Sequence, residues 1–488
     1  MTRRARAPRA LTDMPRKSKP KNIRQLRKSG YEVVSVKYEV RRNLIRKIEA
    51  GEELFSDIIG FDDSVIPQLE NAVLAGQDII LLGERGQAKS RLIRDIATLL
   101  DDEIPAIADC ELNDNPFDPI CRPCRDKIAE SGDDVEIVWI GRDQRYSEKL
   151  ATPDITVADL IGEIDPIKVA EGRYLSDELT IHYGMIPRTN RGIFCINELP
   201  DLSERIQVSL FNLMEERDIQ IKGYRIMLPL DIFLVCSANP EDYTNRGRII
   251  TPLKDRYGAQ IRTHYPHSLE EEIEIVEQEH TRFADASESV TVPRYMKELI
   301  AEITALARRS PEINQRSGVS LRVSIANYET IIGNAFKRSL RQQEPASPRI
   351  SDLPAIMAST TGKIEMESVE DGRELRVVED LVKKAVLNVF GRYFDPREFD
   401  EMIMNFERDF VVETGSGIPS SEYVKKLRLM GNMSKMIRRI EKSHKPAPVA
   451  SAIEFALEGL HLSRRLNKDQ MDGIYVYRGS ARPQREPS

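Results

Sequence analysis

The chain has 488 residues, 40% of them hydrophobic and 31% charged, and carries a net charge of −7. Such a make-up suits a folded chain in water, and the length suits about three domains. With 26 Gly, 27 Pro and five Cys, it excludes a collagen-like or low-complexity protein and a disulfide scaffold.

Residues 1–30 hold eleven Lys/Arg and one acid, a net +10, so the remainder carries −17. This stretch reads either as a nucleic-acid arm or as a disordered basic tail, and the tail is the expectation. The acidic body is a poor nucleic-acid surface, so no nucleic-acid partner is expected. The Arg-rich start lacks the apolar core of a secretory signal. No apolar run approaches the ~20 residues that span a bilayer. The expected setting is therefore reducing and cytoplasmic, with no membrane partner.

From about residue 58 to 266 the pattern alternates helix and strand, within a core unit expected over 31–266. Ile66, Leu69 and Val73 share a helical face, and the apolar run 78–82 follows as a strand. Leu92, Ile96 and Leu99 mark a further helix. Val135–Ile140, Ile193–Ile196 and Asp231–Cys236 read as the second, third and fourth strands. Short apolar strands between amphipathic helices predict a parallel α/β sheet. Past residue 267 the strands are expected to stop. Residues 267–341 read as a helical lid, 342–351 as a linker, 352–472 as a second helical domain and 473–488 as a frayed polar tail.

Leu81-Leu-Gly-Glu-Arg-Gly-Gln-Ala-Lys-Ser90 sits between a predicted strand and a predicted helix, the context of a phosphate-binding loop. Gly83, Glu84, Arg85, Gly86, Gln87, Ala88, Lys89 and Ser90 are the candidate nucleotide contacts. Lys89 would reach the β- and γ-phosphates of ATP, and Ser90 would hold Mg²⁺. Ala88 stands where the pattern has its last Gly, which a negative φ would accommodate. The apolar strand at 193–196 ends in Asn197-Glu198. Glu198 is the candidate for polarising a water, and Asn197 for bonding the Mg²⁺ shell through water. Asn239, at the end of the next strand, is a candidate for touching the γ-phosphate.

These boxes, together with Leu253–Gly258, Ala151–Asp165, Ile181–Gly192 and Ile219–Pro229, resemble in order the AAA+ ATPase subunit of magnesium chelatase over roughly residues 55–340. Ala88 and the stretch Met214–Gly223 also look like the related MoxR-type ATPases. The resemblance implies a P-loop AAA+ parallel sheet with a helix-2-type insert, an all-α lid and an additional helical C-terminal domain. It makes Lys89 and Ser90 Walker A, Glu198 the Walker B acid and Asn239 sensor 1. Arg256 becomes the arginine finger, the alternative being a surface ion pair with Asp255. Arg322 becomes sensor 2, with Arg316 as competitor. Asn197 departs from the family's Asp, which bears on Mg²⁺ binding and turnover. The implied assembly is a homo-oligomer, a hexameric ring, that remodels a partner protein bearing a von Willebrand A domain on a separate chain. A DNA-directed regulator of the sigma-54-activator type and a low-turnover nucleotide-binding scaffold are the competing readings.

Cys121-Arg-Pro-Cys124 has the spacing of a zinc knuckle, and Cys110 and Asp114 are candidates to complete it. Reduced, partly buried thiols are the expectation and a Cys₃Asp zinc site the alternative. Cys195 and Cys236 lie in apolar strands and read as core. No histidine pair has metalloprotease spacing, and all six read as structural or surface.

Overall fold

The structure is a computed structural model that describes residues 19–170, 178–215, 218–221, 224–239, 248–367, 372–408, 410–471 and 473–479. Five parallel strands form the central sheet: β1 (Ile79–Leu82), β2 (Tyr146–Leu150), β3 (Gly192–Asn197), β4 (Ile232–Ala238) and β5 (Ala259–Arg262). Their order across the sheet is β5-β1-β4-β3-β2, so the parallel sheet expected from the apolar strands is present.

Alternation along each strand feeds two separate cores. Ile79, Leu81, Ile193, Cys195, Phe233 and Val235 face one layer, with α2 (Val36–Ala50), α3 (Val65–Leu74) and α4 (Lys89–Ala97). Ile80, Phe194, Ile196, Leu234 and Cys236 face the other, which includes residues of the 151–164 and 199–210 segments. Helix α2 is tied to the sheet by a buried ion pair. Arg145 Nη1 and Nη2 donate to Glu39 at 2.8 and 2.6 Å, and both side chains are under 5% exposed.

Several expectations are corrected. Val135–Ile140 is not a strand of the parallel sheet. Ile137–Gly141 pairs antiparallel with Glu103–Ile107 as a separate ribbon, and Val138 is exposed there. The second strand of the sheet is β2, none of whose residues is buried. Residues 19–30 are not a disordered tail: Ile23–Lys28 is a helix, α1, with Ile23 and Leu26 buried in the core beside Val135 and Ile137. Residues 1–18 and 480–488 and part of Met214–Gly223 lie outside the described residues.

The stretch expected to form a lid, residues 267–341, holds α5 (Leu269–Glu279), α6 (Arg294–Ala307) and α7 (Leu321–Gln342). The string Asp285-Ala-Ser-Glu-Ser289 has the Asp-x-Ser-x-Ser spacing of an adhesion-type metal site. It lies in the short lid helix Ala284–Ser289, not in a von Willebrand-type sheet. The expected linker at 342–351 is packed instead. Arg349 is fully buried, donates to Ile418 O at 2.8 Å and Ser420 Oγ at 2.6 Å, and its backbone N–H donates to Asp352 at 2.8 Å. Asp352 also pairs with Arg338 at 2.5 Å. Lid and C-terminal block share one core. Tyr295 stacks on Phe455 with ring centroids 4.6 Å apart, and Phe390, Phe394 and Phe399 close around them.

The C-terminal block is not all-helical. Besides α8 (Arg373–Tyr393) and α9 (Pro446–Leu462), it has a three-stranded antiparallel sheet of β6 (Val412–Thr414), β7 (Leu466–Met471) and β8 (Ile474–Gly479). β8 occupies part of the stretch expected to be frayed.

Candidate functional site

The loop between β1 and α4 is shaped by close approaches. A Cβ at Gly83 would collide with Thr263 Oγ1 and Gln87 Oε1. Gly86 has φ +77°, and a Cβ there would run into Ser320 Oγ, the N-cap of lid helix α7. The lid thus sits directly on the loop. Ala88 has φ +52°, so the expected negative φ is overturned. The methyl occupies the left-handed region that the missing glycine would enter freely. It is held there because Ala88 O accepts from the N–H groups of Arg91 and Leu92, both at 3.0 Å, opening α4.

The amides at the start of α4 bring partial positive charge to the loop. Lys89 is buried among the carbonyls of Gly83 and Glu84, donating to them at 2.5 and 2.8 Å, and to Asn239 Oδ1 at 2.7 Å. Asn239 Nδ2 in turn donates to Glu198 Oε2 at 2.7 Å. The ends of β1, β4 and β3 therefore deliver a cation, an amide and a carboxylate to one point. Glu198 itself has φ +59°, a strained turn that lifts its side chain off the end of β3.

Asn197 lies just beside this chain. Its Oδ1 accepts from Ser237 Oγ at 3.1 Å, and its Nδ2 donates to Glu148 on β2 at 2.5 Å. Burial raises the Glu148 pKa, but Arg94, Tyr146 and Asn197 outweigh it and hold the carboxyl below its ordinary value. Glu148 was not among the sequence candidates, because β2 carries no apolar signal. A cleft of about 830 Å³ covers the loop and is lined by Arg85, Lys89, Ser90, Glu198, Ser237 and Arg322. Its size suits a nucleotide. Arg322, exposed at the start of α7, is thus on the cleft, whereas Arg316 does not line it.

Arg256 ends the helix Thr251–Arg256. It is 40% exposed and pairs with Glu215 at 2.8 Å, rather than with its neighbour Asp255. It lies over the Phe211 ring at 5.5 Å and is not among the residues lining the cleft.

Cys110, Asp114, Cys121 and Cys124 converge, their ligand atoms all within 4.8 Å of one another. Hydrogen bonds from Cys121 and Cys124 draw the Cys110 thiol down to about 3, while the Cys121 and Cys124 thiols go up, Cys110 being the largest cause for each. Burial, and then Cys110, lifts Asp114 to about 6.

Compared with known proteins, the chain is 28% identical over 244 residues to the magnesium-chelatase 38 kDa subunit of Rhodobacter capsulatus, covering 47% of this chain and 61% of that one. To the magnesium-chelatase subunit ChlI of a Nostoc species it is 27% identical over 266 residues, covering 53% and 65%. It thus spans under two thirds of the length of these curated relatives. No family model matches. A chain from the cryo-EM complex between subunits BchI and BchD of magnesium chelatase is 20% identical, with 67% of this chain and 98% of that one covered at a TM-score of 0.35. The chain is similar in sequence to the magnesium chelatase ATPase subunits.

Proposed function

We propose that the protein is an AAA+ ATPase that binds MgATP at the loop Gly83–Ser90 and hydrolyses it at the interfaces of a homo-oligomeric ring. The observation that carries this reading is the hydrogen-bonded chain Lys89–Asn239–Glu198 at the ends of three adjacent strands. Lys89 takes the β/γ-phosphates, and Ser90 and Asn197 serve Mg²⁺, Asn197 through water. Glu198 orients the attacking water, with Asn239 linking it to the cation. Arg322 from the lid and Arg256 from a neighbouring subunit supply charge to the γ-phosphate. By its similarity to the chelatase ATPase subunits, the ring is hexameric and drives a separate von Willebrand A-domain protein, of chelatase type or otherwise.

The test is ATP binding by calorimetry and phosphate release by the full chain. Glu198→Gln should bind ATP and lose turnover. A variant that hydrolyses at the parent rate removes Glu198 from the reaction. A second reading, a nucleotide-binding scaffold of low turnover, draws support from the neutral Asn197 and from Ala88. Tight ATP binding with no phosphate release by the parent chain, assembled or not, would favour it.

A further inference from the structure

We propose that Cys110, Asp114, Cys121 and Cys124 bind one structural Zn²⁺ in tetrahedral S₃O coordination. The spacing of the donors fits a single ion. With Zn–S near 2.3 Å, tetrahedral sulfurs lie about 3.8 Å apart. Here Cys110 Sγ and Cys121 Sγ are 4.0 Å apart, and every donor atom lies within 4.8 Å of the others. An iron–sulfur cluster spreads its four protein ligands over two or more irons and needs a wider cage.

A second observation is independent of the sulfurs. Asp114 is fully buried. Its Oδ2 accepts from Cys121 N at 3.0 Å, but its Oδ1 has no hydrogen-bond partner. A buried carboxylate oxygen without a partner is costly, and a cation at the cluster would satisfy it. A Cys110–Cys121 disulfide would leave both that oxygen and Cys124 unaccounted for.

The backbone around Cys110 is arranged for a thiolate. Leu112 N and Asp114 N donate to Cys110 Sγ at 3.3 and 3.4 Å, as amides do around a metal-bound sulfur. Both flanks of that turn carry a non-glycine residue in the left-handed region, Asp109 at φ +57° and Asn113 at φ +51°. Asp and Asn are the side chains that tolerate this conformation, so the turn carries Cys110 towards Cys121 and Cys124, at the start of the helix Arg122–Ser131, without a glycine.

The site would also brace β3. The same turn accepts from Asn190 Nδ2 through Leu112 O at 2.9 Å and from Arg191 Nη1 through Asn113 O at 3.3 Å. Those two residues lead directly into β3.

Metal content of the full chain tests this, with protein purified without chelator from cells grown with zinc. The expected result is about one zinc per chain by elemental analysis after gel filtration, with Cys110, the one cysteine of the five that is not buried, alkylated only once a chelator is added. Replacement by Co²⁺ should give an intense thiolate charge-transfer band and tetrahedral d–d bands, a readout that needs no variant. Cys124→Ser should lower zinc at least tenfold. Zinc far below stoichiometry, iron with acid-labile sulfide, or a Cys110–Cys121 disulfide in the native protein would each overturn the assignment. None of these readouts depends on ATP turnover.

Discussion

Asn197 donates its side-chain amide to Glu148 at 2.5 Å, across the parallel pair β3–β2. The two residues together present one carboxylate where two would repel. Asn197→Asp would put two buried-edge carboxylates in hydrogen-bond contact, and one must then take up a proton or a cation. The variant should be less stable by about 1–3 kcal/mol at neutral pH without Mg²⁺. The shared proton raises one folded-state pKa, so the deficit should shrink as pH falls through it. Urea unfolding at pH 7 and pH 5 measures this. Adding Glu148→Gln should restore stability at pH 7. A deficit that neither acid nor Glu148→Gln relieves would show that the two side chains do not interact.

Ala88 sits at φ +52°, which costs an L-residue about 1–2 kcal/mol. Glycine removes that cost but loses about 0.4–1 kcal/mol through the freer unfolded chain. Ala88→Gly should therefore stabilise the protein by up to about 1.5 kcal/mol, read as a higher urea midpoint with an unchanged slope. A lower midpoint would mean that the methyl packs in a way that offsets its strain.

Arg256 is held by Glu215 on its own chain, and so is available to a neighbour only by leaving that pair. Arg256→Ala should keep ATP affinity and cut turnover by roughly 10³-fold or more. Mixing it with Lys89→Ala subunits should restore some activity, since an intact Arg256 then faces an intact phosphate loop. No recovery despite verified co-assembly would rule out a site shared between subunits.

Glu39 balances Arg145 inside the protein, and its Oε1 also accepts from Asp101 N at 2.6 Å. Glu39→Gln leaves a guanidinium buried without its countercharge and should cost about 3–5 kcal/mol. Chemical denaturation gives the number. Glu39→Leu with Arg145→Met should recover much of the loss, because the pair repays little beyond its own desolvation. A single-variant loss under about 1 kcal/mol would mean that water reaches Arg145.

The readable parts of the fold are those with two buried faces. β3 is buried at every residue and its apolar run is visible in the sequence. β2 and β5 form the two sheet edges. Of Ala259–Arg262 only Ile261 is buried, so composition hides the strand. Val135–Ile140 misled in the opposite sense, since an apolar run does not say which sheet it joins. Arg349 and Asp352 look like linker residues because charge usually marks solvent, yet each finds its partners inside. At the site, Gly83, Lys89 and Ser90 were legible from local spacing. Glu148 and Thr263 were not, because Glu148 meets Asn197, and Thr263 meets Gln87 of the loop, only through the register of β2 and β5. The CxxC pair was visible and Cys110 and Asp114 were candidates beside it, but their approach depends on the turn with Asp109 and Asn113 at positive φ, which spacing alone does not give.

Tyr295 of α6 stacks on Phe455 of α9 and donates to Ser451 Oγ at 2.7 Å, while Ser320, the N-cap of α7, sits against the phosphate loop at Gly86. The helices that meet the loop therefore share their core with the C-terminal block. Cutting the chain after residue 342 would not free a smaller lid; it would strip the core from one side of α6 and leave Tyr295, Leu299 and Ile303 facing water.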